Sequence, residues 1–89
     1  MRRLMEVRFA QSFEADYRNL PKIIQTAVDR KLFLLLKNFR HPSLRAKKME
    51  GYRNIWEVRV SKGYRFTFNI VENAYLIRRV GVHDILRKP

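Results

Sequence analysis

The chain is predicted to be α+β, two helices packed on a mainly antiparallel four-stranded sheet in the order β-α-α-β-β-β. Three observations predict this. An apolar/polar alternation opens the 89 residues, two helical periodicities follow it, and three further alternating runs close the sequence at hairpin spacing. No internal repeat, low-complexity stretch or linker divides these elements, so residues 1–89 read as a single domain.

Each element has its own warrant. Leu4 to Phe9 sets Leu4, Glu6 and Arg8 against Met5, Val7 and Phe9, the period-2 pattern of a strand with one buried face. Ser12 suits the cap of a short helix that carries Glu14 and Asp16 near its positive end and Phe13, Tyr17 and Leu20 on one side. Pro21 interrupts this helix and opens the next. There Ile24, Val28, Leu32, Leu35 and Phe39 follow at spacings of four, four, three and four, one apolar stripe that ends near Asn38. From Arg40 to Tyr52 the periodicity dissolves into His41-Pro42-Ser43, the basic Arg45-Ala46-Lys47-Lys48 and Glu50-Gly51, a loop crossing the surface. Strands then run from Ile55 to Val60, Tyr64 to Val71 and Ala74 to Val80, joined by Ser61-Lys62-Gly63 and Glu72-Asn73. Val82 to Pro89 reads as a tail.

Composition bounds the function. Apolar residues at 46% are too many for a disordered segment, while Lys and Arg number 20 against 8 Asp and Glu, a net charge of +12. So basic a domain expects a polyanionic partner. The absence of cysteine excludes disulfide staples, thiolate nucleophiles and cysteine-based zinc sites. Met1-Arg2-Arg3-Leu4 resembles the basic start of an export signal, but Glu6 and Arg8 fall where its apolar stretch should run, and no export is expected. The longest apolar run, Leu32 to Leu36, is far short of the roughly 20 residues that span a bilayer. A cytoplasmic, soluble protein with no membrane partner is the reading.

The strand alternation displays a basic surface. Tyr64, Phe66, Phe68 and Ile70 share one face and Arg65, Thr67 and Asn69 the other, while Trp56, Val58 and Val60 oppose Ile55, Glu57 and Arg59. Hairpin neighbours share faces, so Arg59 and Arg65 belong to one open surface with Glu57. The alternation leaves open which of Arg78 and Arg79 joins them. His41 reads as a surface or packing residue. His83 follows the final strand in Val80-Gly81-Val82-His83-Asp84; an imidazole titrating near pH 6.5 beside phosphate-binding arginines suits proton transfer in RNA cleavage. Glu57 has two readings, a general base or an ion-pair partner for Arg59 or Arg65. Two histidines without a carboxylate cluster predict no metal site, and Gly51, Gly63 and Gly81 form no nucleotide-binding loop.

The series His41-Pro42-Ser43-Leu44, Lys47-Lys48-Met49-Glu50-Gly51-Tyr52, Ile55-Trp56-Glu57-Val58-Arg59-Val60, Gly63-Tyr64-Arg65-Phe66 and Val80-Gly81-Val82-His83-Asp84 resembles the RelE/ParE superfamily of bacterial and archaeal toxins. The resemblance covers nearly the whole chain and implies the β-α-α-β-β-β order. It further implies the toxin of a type II toxin–antitoxin pair, an endoribonuclease that cuts mRNA, often in the ribosomal A site, with the RNA 2′-hydroxyl as nucleophile and with no metal or cofactor. By position, Arg65 matches the arginine that binds the scissile phosphate, and His83 matches the catalytic histidine of the YafQ and YoeB branches. Lys47 and Lys48 fall in the RNA-contacting basic segment, Arg79 joins them as a candidate RNA-binding group, and Arg59 occupies a position that is histidine in YafQ-like members. The loop glutamate used as a base by YoeB-like members is replaced around Ser43, and no terminal tyrosine follows His83.

Two alternatives stand beside the nuclease: a ParE-like toxin that inhibits DNA gyrase and cleaves nothing, and a catalytically idle basic domain that binds RNA or an acidic protein. The toxin readings imply an acidic antitoxin. For such a partner the chain offers its basic sheet face and the run Leu32-Phe33-Leu34-Leu35-Leu36, in which Phe33 and Leu36 lie off the main stripe. They are either exposed for docking or a second buried face against the first helix.

Overall fold

Two faces of one sheet, one apolar and one charged, organise the chain. The computed structural model describes residues 5–89. Its elements are β1 (Glu6–Phe9), α1 (Gln11–Arg18), α2 (Lys22–Lys37), β2 (Lys47–Lys48), β3 (Trp56–Ser61), β4 (Tyr64–Val71) and β5 (Ala74–Val82), with short 3-10 helices at Pro42–Leu44 and His83–Arg87. Leu4, assigned above to the first strand, and the Met1–Leu4 segment lie outside the described residues.

The sheet has five strands in the order β1-β5-β4-β3-β2. β1 pairs in parallel with β5, and the other pairs are antiparallel. The additional strand corrects the expected four. Lys47 and Lys48 pair with Glu57 and Trp56, so the basic stretch of the presumed loop forms an edge strand. Two residues are too few to show alternation, and the pairing comes from the chain running back along β3.

Register places the apolar residues together. Val58 stands opposite Phe66, Trp56 opposite Phe68, Phe66 opposite Val80, Phe68 opposite Ile77 and Ile70 opposite Tyr75. Val28 and Leu35 of α2 and Phe13 of α1 close over this face as the expected stripes require. Phe39 lies beyond the end of α2 and enters an aromatic cluster, its ring 5.1 Å from Trp56 edge-on and 6.3 Å from Tyr75. Such arrangements stabilise by about 0.5–1.5 kcal/mol per pair beyond the area buried.

Two further expectations are corrected, and one alternative left open by the sequence is decided. Ser12 does not cap α1: the cap position is Ala10, without a side-chain bond, and the Ser12 hydroxyl donates instead to the Arg78 carbonyl at 2.7 Å, tying the helix to β5. The segment from Val82 is not a tail. β5 continues to Val82, and the following 3-10 helix folds back on β4 and β5 with Ile85 and Pro89 buried. Gly81 permits that approach, since a Cβ there would stand 2.9 Å from the Ile85 Cγ2. Finally, Phe33 and Leu36 are 59% and 42% exposed, so the surplus apolar residues of α2 face outward and not toward α1. No described helix is long and apolar enough to cross a membrane.

Candidate functional site

The charged face of the sheet is divided between two kinds of surroundings. Cross-strand partners share a face, so Gly81, opposite Arg65, points to the arginine side, and the 3-10 helix with Ile85 covers that side over β4 and β5. Thr67 is fully buried beneath it, its Oγ1 without a hydrogen-bond partner among the described residues. Toward β2 the face stays open. There Arg45, Lys47, Glu57, Arg59 and Arg65 line a cleft of about 220 Å³.

Strand geometry assembles this cleft. Arg59 and Arg65 are direct cross-strand partners, Glu57 stands opposite Thr67 on β4 and opposite Lys47 on β2, and Arg45 enters from the loop before β2. Like charges placed opposite each other destabilise a sheet. Offsetting them is one carboxylate: Glu57 Oε1 lies 3.8 Å from Arg65 Nε, an ion pair too long for a hydrogen bond. Arg65 Nη1 donates to the carbonyls of Ser61 and Tyr64 at 3.2 and 3.0 Å, which aims its guanidinium. The Arg59 side chain has no hydrogen bond or ion pair among the described residues.

The sequence-derived candidates thus separate. Arg65, Arg59, Glu57 and Lys47 converge on the cleft. Lys48 stands opposite Trp56 on the other side of the edge strand, and joins Lys47, Glu50 and Glu57 around a neighbouring hollow. His83 is exposed at the start of the C-terminal 3-10 helix, one residue past Val82, the partner of Tyr64. It therefore sits at the end of the sheet where β4 begins and is not among the residues lining the cleft.

Arg79 is placed elsewhere. Its Nε donates to Asp16 Oδ2 at 2.7 Å and its Nη2 to Asp16 Oδ1 at 3.1 Å, while Asp16 also accepts the Val80 backbone N–H. The hydrogen bond to Asp16 raises the Arg79 pKa above its ordinary value, burial opposes this, and the Asp16 charge reinforces it. Arg78 is likewise engaged, with the Asn69 side chain at 2.7 Å and the Pro89 carbonyl at 2.9 Å. The ambiguity between these two arginines has a structural origin: the register slips by one residue between Thr67–Arg79 and Phe68–Ile77, so Arg78 is the extra residue of a bulge.

Arg45 is the functional candidate that sequence reasoning passed over. The signal was present in Arg45-Ala46-Lys47-Lys48, but only the fold turns that stretch toward Arg59. His41, read as a surface or packing residue, caps the 3-10 helix preceding it: its Nδ1 accepts the Ser43 N–H at 3.2 Å. A larger hollow of about 320 Å³ lies on the helix side, lined among others by Phe9, Phe13, Tyr17 and Leu32. Within it Asp29 accepts the Tyr17 hydroxyl at 2.7 Å, a bond that with burial and the Asp29 charge raises the Tyr17 pKa. No group of three or more potential metal ligands occurs among the described residues.

Comparison with known proteins gives one consistent result at the level of fold. No protein-family model matches the chain, and no curated relative does. Solved structures do. The DinJ–YafQ toxin–antitoxin complex of E. coli contains a chain with a TM-score of 0.78 and 12% identity, covering 93% of this chain and 97% of its own. The YoeB/ParE toxin of Agrobacterium tumefaciens gives 0.78 at 12% identity over 89% and 99%. The RelB–RelE complex of Methanococcus jannaschii gives 0.70 at 22% identity over 91% and 95%. The fold expected from the resemblance is therefore the fold found, two helices on a sheet of the RelE type.

Proposed function

We propose that this chain is the toxin of a type II toxin–antitoxin pair and acts as an endoribonuclease on mRNA, arresting translation at the ribosome. The observation that carries the reading is the open cleft in which three arginines and a lysine surround Glu57, on a scaffold shared with RelE, YafQ and YoeB toxins. A solvated charged face would scatter such groups or pair them, as happens at Arg79. Here four cations converge on one carboxylate, and the excess positive charge suits an anionic ligand that develops further charge during reaction.

The chemistry follows from those groups. The 2′-hydroxyl oxygen of one nucleotide bonds to the adjacent phosphorus as the bond to the 5′-oxygen breaks, leaving a 2′,3′-cyclic phosphate and a free 5′-hydroxyl. Arg65, aimed by its two carbonyl bonds, and Arg59, whose side chain has no partner among the described residues, hold the negative charge of the phosphorane. Glu57 takes the 2′-hydroxyl proton, its carboxylate lying near Arg65 without a hydrogen bond to it. His83, as imidazolium, gives a proton to the leaving oxygen. Lys47 and Lys48 bind the strand along the sheet edge. An acidic antitoxin would cover this basic face and the exposed Phe33 and Leu36 of α2.

Cleavage of mRNA in a translating extract tests the reading. The wild type should cut and arrest growth when expressed alone; His83→Gln should lose about 10²- to 10⁴-fold in rate, and Arg65→Ala roughly 10²- to 10³-fold. Equal rates for wild type and His83→Gln would remove the histidine from the mechanism. Intact mRNA together with inhibited DNA supercoiling would replace the nuclease by the gyrase reading.

A further inference from the structure

The loop before β2 holds one residue in a conformation that its side chain does not favour. Arg45 closes the Pro42–Leu44 helix at φ 47°, ψ 40°, the left-handed region that glycine or asparagine occupies with least strain. Its surroundings fix it there. Leu44 is fully buried, Lys31 of α2 donates to the Ser43 carbonyl at 2.9 Å, and the His41 ring caps the helix through Ser43. The side chain so presented is exposed and has no hydrogen bond or ion pair among the described residues, yet it lines the cleft with Arg59 and Arg65. Four cations against one carboxylate leave three positive charges there, more than a single scissile phosphate neutralises.

We infer that Arg45 is a substrate-binding residue for a phosphate flanking the scissile one, so that the cleft takes a single-stranded polyribonucleotide and not an isolated dinucleotide. This rests on the ribonuclease reading above and assigns the position of the strand within it. Arg59 and Arg65, fixed on the sheet, take the reacting phosphate, and Arg45, on the braced loop, takes its neighbour. The strained backbone is the arrangement that carries the guanidinium over the cleft from outside the sheet.

That backbone makes the test selective. Arg45→Gly removes the guanidinium and relieves the left-handed conformation, so its unfolding midpoint should equal or exceed that of the wild type. Its affinity for a fully 2′-O-methylated oligoribonucleotide, which cannot be cut, should fall roughly 10-fold or more at low salt. The slope of log K against log salt should become shallower by about 0.7, one phosphate contact on a single strand, and Arg45→Lys should recover the slope. Arg45→Asn, tolerant of the same backbone, should behave as Arg45→Gly. A wild-type slope with Arg45→Gly unchanged from it overturns the Arg45 assignment and leaves the ribonuclease reading standing. A wild-type slope near zero overturns both.

Discussion

The charged face of the sheet has two halves built from the same residue type, and they differ in what surrounds the arginines. Over β4 and β5 the C-terminal 3-10 helix covers the face, Arg79 is held by Asp16, and Arg78 is held by Asn69 and Pro89. Toward β2 no described element covers it, and Arg59 faces Arg65 with Glu57 the one carboxylate among the described residues lining the cleft. The first half spends its charge on the fold. The second sets four cations around a single carboxylate, a net excess of positive charge that costs stability and supports the proposal of an anionic ligand there. Charge count alone therefore says little; partner geometry decides which arginines are structural.

The strongest way to break the comparison is to unpair the closed half. Asp16→Ala removes both contacts to Arg79 and the acceptor of the Val80 N–H in a site whose side chains are 29% and 20% exposed. It should destabilise by about 1–3 kcal/mol, measured by urea unfolding, while the folded protein retains its RNA affinity. A loss of affinity without a loss of stability would place Arg79 in the binding surface after all.

The open half should respond in the opposite sense. Arg59→Thr removes one member of the like-charged pair from a strand position that suits a β-branched residue, and should stabilise by about 0.2–1 kcal/mol while weakening RNA binding and cleavage. If Arg59→Thr destabilises instead, Arg59 holds the sheet together and the division into two halves fails. An effect confined to stability is expected at Thr67, beneath the 3-10 helix. Its buried hydroxyl has no partner among the described residues, so Thr67→Val, nearly the same in shape, should be neutral or stabilising by about 1 kcal/mol in the same assay. Destabilisation there would reveal a bonded hydroxyl.

Sequence by itself determined the larger part of the architecture. Periodicity marked β4 at Tyr64–Val71, the stripe of α2 through Val28 and Leu35, and the shared face of Arg59, Arg65 and Glu57, because a strand's two-residue repeat and a helix's 3.6-residue repeat are written locally in side-chain polarity. It could not give the strand formed by Lys47 and Lys48, whose pairing with β3 is a matter of long-range register over only two residues. Nor could it separate Arg78 from Arg79, since a one-residue bulge breaks the alternation on which the separation depends. Asp16 and Arg79 lie 63 residues apart and meet only when α1 settles against β5. Arg45 joined the cleft for the same reason: a left-handed residue after a short 3-10 helix redirects its side chain, and only the packing of Leu44 and the brace from Lys31 hold it so. Local pattern chose the elements and their faces; contacts between residues distant in the chain chose which charges were neutralised and which were gathered in the cleft.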